Sequence, residues 1–317
     1  MTALAATSVL AADLPHYKAP YLPPPPPPPM WTGFYVGLNA GGAWSSSNSV
    51  TTSGFPLLNP PVGVNMPVQP GNSVNFIPEI PIGSMAALSA SGVRSGSSNG
   101  GFIGGGQIGY NWQFYNSFVA GIEADIQGIA SNNSAVTGFG AAANPIDSYS
   151  GFSPTMTIQQ IRRSVDYLGT VRGRLGWLFT PTLLVYSSGG LAYGGLNLSA
   201  NFLTANLGPG FGAGFCSSCL FGPSFGNGSY SDTRVGWTAG GGLEWMFWPN
   251  WSAKAEYLYY DLGRVSAPSS VLAGATNAGF VNYAYAVNVT TRFNGNIVRA
   301  GVNYHFNWAV PPVIAKY

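Results

Sequence analysis

Charge is the scarcest chemistry in this sequence, and its placement is patterned. Only 7% of the 317 residues are charged, against about 25% in an ordinary soluble domain. Yet Glu123, Asp125, Arg172, Arg174, Glu244, Lys254, Glu256 and Arg299 all fall inside runs where apolar and polar residues alternate. Successive side chains of a strand point to opposite faces, so each of these charges lies on the face away from its strand's oily side. Glu123 and Asp125 oppose Phe118, Ala120, Ile122, Ala124 and Ile126; Arg172 and Arg174 oppose Val171, Leu175 and Trp177. Glu244 opposes Leu243, Trp245 and Phe247; Lys254 and Glu256 oppose Ala253, Ala255 and Tyr257; Arg299 opposes Val298, Ala300 and Val302. Acids and bases on facing strands can pair into a closed ionic network, or they can line a polar path for ions. Mutual pairing is the expectation, with a gated ion path as the alternative.

Other motifs fail their context. Gly104, Gly106 and Gly109 match G-x-G-x-x-G, with Asp125 following. A dinucleotide site needs a helix start behind the glycines, and YNWQF is an alternating strand, so a tightly packed strand wall explains them better. Cys216 and Cys219 form C-x-x-C in a loop-like stretch, where a local disulfide is expected in an oxidising envelope. A zinc site would want further ligands, and the histidines are only His16 and His305. His305 beside a carboxylate could in principle serve hydrolysis, but nothing else in the sequence supports an enzyme. No cofactor is expected.

The elements that must hold the charges are strands. Alternation picks out eight: Gly33 to Trp44, Phe102 to Phe114, Phe118 to Gln127, Asp166 to Trp177, Leu183 to Leu196, Arg234 to Phe247, Trp251 to Tyr260 and Asn296 to Phe306. Short turns at Tyr115 to Ser117, Thr180 and Pro181, and Pro249 and Asn250 alternate with long connections: up to about Ser98, Ala130 to Arg162, Leu198 to Asp232, and one before the last strand. Short turns on one side, long loops on the other and an even strand number describe a transmembrane β-barrel. No run of about 18 apolar residues offers a helical span instead. Aromatics gather at the short turns, as Trp112 and Phe114, Trp177 and Phe179, and Trp245, Phe247, Trp248 and Trp251, which suits an interfacial girdle. Counted from those turns, Glu123, Arg172, Arg174, Glu244 and Glu256 stand at similar heights, about five to eight residues up each strand, and Arg299 stands a similar distance above Phe306. They should form a belt across a lumen narrow enough for side chains to fill. A net charge of +2 gives no reason to expect nucleic acid.

The expected organisation is a signal-peptide remnant over 1–12, a Pro-rich periplasmic linker over 13–30, the barrel over 31–306 and a C-terminal extension over 307–317. Leu4 to Ala12 resembles the apolar core and small-residue cleavage region of a secretory signal. Pro23 to Pro29 should form a stiff polyproline rod of roughly 20 Å.

The segments ADLPHYKAPYLPPPPPPPMWTGFYVGLNAGGAW, YLGTVRGRLGW, GGLAYG, AKAEYLYYDLG and VRAGVNYHF together resemble the small outer-membrane β-barrels of alphaproteobacteria, the outer-membrane immunogenic or porin-family proteins. The resemblance covers most of the strand content, in order. It implies an all-β, eight-stranded antiparallel transmembrane barrel of the OmpA transmembrane type, with long extracellular loops, in the outer membrane. The family pattern commonly stops at a terminal aromatic, whereas this chain adds NWAVPPVIAKY after Phe306, which leaves Phe306 and Tyr317 as alternative candidates for the assembly signal. The expected role is structural or surface-interactive, with a narrow porin-like channel as the alternative. Expected partners are outer-membrane lipid, the outer-membrane assembly machinery and a cell-wall or surface ligand.

Overall fold

The structure is a computed structural model that describes residues 30–58, 82–96, 100–115, 117–130, 134–143, 154–206, 223–275 and 281–306. The leader, Pro23 to Pro29, Cys216 and Cys219, and the extension after Phe306 lie outside the described residues.

Eight antiparallel strands close into a ring: β1 (Gly33–Ser45), β4 (Gly101–Phe114), β5 (Phe118–Ala130), β7 (Pro154–Thr180), β8 (Leu183–Asn206), β9 (Ser224–Trp248), β10 (Trp251–Pro268) and β12 (Val281–Phe306). Closure comes from β1 against β12, in register from Phe34↔Phe306 to Ser45↔Gly295. A closed ring leaves no strand edge to satisfy in hydrocarbon. The tight reversals after β4 and β9 place Tyr115 at φ 48° and Asn250 at φ 69°, the left-handed conformation that Asn tolerates well. These turns, with the one at Pro181 and Thr182, share an end of the barrel with the start of β1 and the end of β12.

The outer wall carries the apolar faces. Val36, Leu38, Ile108, Ile122, Val171, Leu175, Leu191, Leu243, Val298 and Val302 are all exposed. Aromatics bound this band at both ends. Near the short turns stand Phe34, Trp112, Phe118, Trp177, Trp245, Trp251 and Phe306; at the far side stand Trp44, Phe102, Tyr167, Tyr193, Trp237 and Tyr259. Ten strand steps separate Phe34 from Trp44, about 25 Å at a tilt of about 40°, the height of a lipid-facing band.

The eight expected strands are present, but the segments read as long loops are corrected. β7, β8, β9 and β12 run 24 to 27 residues, well past the band. Beyond it lie β2 (Ser49–Leu58), β3 (Gly92–Ser95), β6 (Ser134–Ala143), β11 (Leu272–Ala275) and one helix, α1 (Ile82–Ala90). Here β6 pairs β7, β2 pairs β12 and β3, and β11 pairs β12, which builds a second storey on the barrel. The outward positions become mixed there: Ser164, Arg162 and Gln160 on β7 and Asn197, Ser199 and Asn201 on β8 are polar, while Phe139, Ile158 and Phe225 are exposed apolar residues. With apolar and polar residues mixed on the outward face, the strands lose the regular alternation that betrays them in sequence.

Inside this storey is an apolar core of Val136, Ile161, Leu198, Phe202, Val265, Leu272, Tyr283, Tyr285, Val287 and Val289. Helix α1 packs into it through Met85, Ala86, Ala87 and Ala90, leaving Leu88 exposed. Its small residues permit close approach: a Cβ on Gly54 would press into the Ala87 backbone, and one on Gly140 into the Ser89 carbonyl. The helix end is tied down where Ser89 Oγ meets Thr157 Oγ1 at 2.6 Å and Gln159 Nε2 donates to the Ala90 carbonyl at 3.1 Å.

Candidate functional site

All eight charged residues singled out in the sequence point into the lumen, and each is at most 5% exposed. Strand register brings three opposite-charge pairs face to face: Glu123↔Arg172, Glu256↔Arg299 and Lys254↔Glu244. The contacts then extend across the lumen. Arg172 is the hub: its guanidinium donates to Glu256 Oε1 at 2.5 Å, to Asp125 Oδ2 at 3.0 Å and to Glu123. Its Nε donates to Thr170 Oγ1 at 2.9 Å and Nη1 to Ser188 Oγ at 3.0 Å. Arg299 donates to Glu256, Gln127 and Asp125, each at 2.8 Å. Lys254 Nζ passes over its register partner and reaches Glu123 at 2.9 and 3.1 Å. Glu244 instead accepts from Arg174 Nη2 at 2.6 Å and Asn303 Nδ2 at 2.7 Å.

Four carboxylates and four cations therefore balance within one layer. A buried ion pair recovers its desolvation cost only when hydrogen bonds complete the geometry, and here most of the charged atoms have several partners.

Tyr35 is the member that charge counting does not find. It is fully buried, donates to Glu123 Oε2 at 2.6 Å and accepts from Arg174 Nη1 at 2.8 Å. The signal was available, since Tyr35 sits on the inward side of the first strand with Asn39. Two glycines make room for the network. A Cβ on Gly109 would collide with the Tyr35 ring, and one on Gly190 with the Arg172 backbone.

Apolar layers cap the belt on both sides. Toward the short turns, Trp31, Val119, Leu178, Leu184, Tyr186 and Met246 form one cluster, with Met30 packed against it. The Trp31 indole N–H donates to the Pro181 carbonyl at 3.0 Å, pinning the entering chain across the lumen. Replacing Trp31 with Phe should lose that bond and leave part of the indole volume unfilled, lowering stability by about 2 kcal/mol in a urea titration of the folded barrel. Above the belt come Ile103, Leu168, Leu196, Leu258, Tyr260 and Ile297, and above these the second storey with α1.

His305 lies within the lower rim, 2% exposed, with Nε2 2.9 Å from Ser252 Oγ and 3.3 Å from Glu244 Oε1. This places serine and carboxylate at the same ring nitrogen. A proton relay needs them at opposite nitrogens, and the ring is covered by Trp31 at 5.6 Å between centroids. Among the described residues no cluster of His, Cys, Asp and Glu could hold a metal ion.

The outer membrane protein beta-barrel domain family matches residues 3–306. The chain belongs to this family. Outer-membrane immunogenic proteins of 31 kDa from Brucella melitensis biotype 1 and Brucella suis biovar 1 are each 31% identical to this outer-membrane barrel over 310 residues, 96% of this chain and 97% of theirs. Among solved structures, OprG of Pseudomonas aeruginosa aligns at 10% identity over 87% of this chain and 97% of its own, with a TM-score of 0.34. Neisserial surface protein A aligns at 14% identity over 87% of this chain and 98% of its own, with a TM-score of 0.27. The protein is an integral outer-membrane barrel of structural or surface type.

Proposed function

We propose that this outer-membrane barrel is closed to solutes and serves as a membrane anchor that holds a folded storey at the cell surface, with no catalytic role. One observation carries the reading. The ionic belt fills the lumen from wall to wall, and apolar layers lie on both sides of it. An eight-stranded barrel has an interior just wide enough for side chains to fill, so ions neutralised in place act as structure. On this reading the partners are lipid around the apolar band, the assembly machinery that takes the barrel to the membrane, and a cell-wall or surface ligand met outside the lumen.

Planar-bilayer recording of the refolded protein tests this. The expected result is no steady conductance from protein that shows the heat-dependent gel mobility of a folded barrel. Reproducible steps of stable conductance from the same preparation would overturn the closed reading and restore the narrow channel.

A further inference from the structure

On the outer wall, two cations are brought side by side. Arg264 of β10 and Arg292 of β12 are directly opposed in the strand register, and both are exposed. Like charges at directly opposite positions destabilise a strand pair. Only one is neutralised: Arg292 Nε donates to Asp261 Oδ1 at 3.3 Å and its Nη2 also pairs with Asp261. The Arg264 side chain has no partner among the described residues, while its carbonyl accepts from Arg234 Nη2 at 3.4 Å. Arg234 brings a third guanidinium from behind the wall: it lies on the face of β9 opposite the exposed Val235 and Trp237, and its Nε is buried and unbonded. Asp232, two residues before Arg234 on β9, accepts from Tyr230 at 3.2 Å.

Height gives this cluster a meaning. Tyr259 and Asn294, joined by a 2.9 Å hydrogen bond, stand immediately below the arginines, and Trp237 packs on Tyr259 at 5.4 Å. These belong to the upper aromatic girdle, so the arginines occupy the first level above the hydrocarbon, where outer-leaflet headgroups lie. A bulge between Asp261 and Arg264, with Gly263 at φ 85°, turns Arg264 outward at this level. Other strands carry no such cations there: β7 places Asp166 bonded to Asn197, and β9 places Thr233.

We propose that Arg264 and Arg292, backed by Arg234, form a binding site for the phosphate of a phosphorylated glycolipid in the outer leaflet. A guanidinium fork matches phosphate oxygens two at a time, and a shared anion relieves the Arg264–Arg292 repulsion. The acyl chains would lie on Tyr257, Val298 and Ala300 below. The inference rests on the membrane placement of the barrel and adds to it a lipid class and a position.

The test is native mass spectrometry of the folded barrel in detergent, titrated with lipid A or with its dephosphorylated form. Lipid A should be retained about tenfold more tightly than the dephosphorylated lipid, and Arg264→Gln should remove most of that preference. Arg162→Gln, an exposed arginine on β7, should leave it unchanged. Equal retention of the two lipids, or equal loss in both variants, would overturn the site. Displacement of lipid A by millimolar inorganic phosphate would also overturn it, by assigning the arginines to a free anion. A failure of the membrane placement would show separately, as protein without heat-dependent mobility.

Discussion

Arg172→Ala should cost the barrel about 3–5 kcal/mol, read as a lower urea midpoint for the loss of the compact gel form, or should prevent its assembly. The reason lies in what remains after the change. Arg172 contacts Glu123, Asp125 and Glu256, all at most 4% exposed, and its removal leaves three carboxylates facing one another with Arg174, Lys254 and Arg299 as their remaining nearby cations. The charge of the layer no longer balances, and Thr170 and Ser188 lose a donor. Arg172→Ala combined with Glu256→Gln should recover a good part of the loss, because the layer is neutral again, Lys254 keeps Glu123 and Arg299 keeps Asp125. Replacing several members of a buried network together avoids the unpaired charge that makes a single deletion so costly. If the single and double variants have the same midpoint as the parent, the belt contributes nothing to stability.

What the sequence discloses divides at the membrane boundary. Inside the band, lipid demands an apolar residue at every second position, so Val171, Leu175 and Trp177 on one side assign Arg172 and Arg174 to the other without ambiguity. Equal distances from the short turns then put the charges at one level. Register is not written there, and neither is the choice Lys254 makes between Glu244, its register partner, and Glu123 across the lumen. The apolar layer above the belt was disguised by its own chemistry. Leu258, Tyr260 and Ile297 face inward opposite other apolar residues, so their strands look oily on both faces.

Beyond the band the lipid constraint ends. β7 there sets Thr155, Thr157, Gln159, Ile161 and Arg163 inward against Met156, Ile158, Gln160 and Arg162 outward, and neither face reads as a core. The core exists because α1 supplies the missing surface, and a helix as small and uniformly apolar as IGSMAALSA shows no amphipathic stripe. The usable signals were β-propensity in TMTIQQI and the Gly92 stop, which takes φ 144° after the helix.

That dependence on α1 leads to a second large effect. Ala86→Glu should release the helix from the outer storey while the membrane barrel stays folded. Ala86 is fully buried among apolar side chains, and a carboxylate placed there has neither a counter-ion nor space. Burying it would cost about 3 kcal/mol or more, which shifts the docked-to-released ratio of α1 by about a hundredfold or more. The helix touches β2, β6, β7, β8 and β12 in their outer portions and none of the belt residues, so the ionic layer has no reason to respond. On intact cells, added protease should cut the variant near α1 much faster than the parent protein, and both should keep the same heat-dependent mobility. A variant that loses the compact barrel form as well would show that the two storeys fold as one unit. Unchanged protease resistance would mean that α1 is not buried at the surface. The distinction matters for function: if the outer storey opens on its own, it can vary or engage a partner without putting the membrane seal at risk, because the belt and the Trp31 layer close the lumen independently of it.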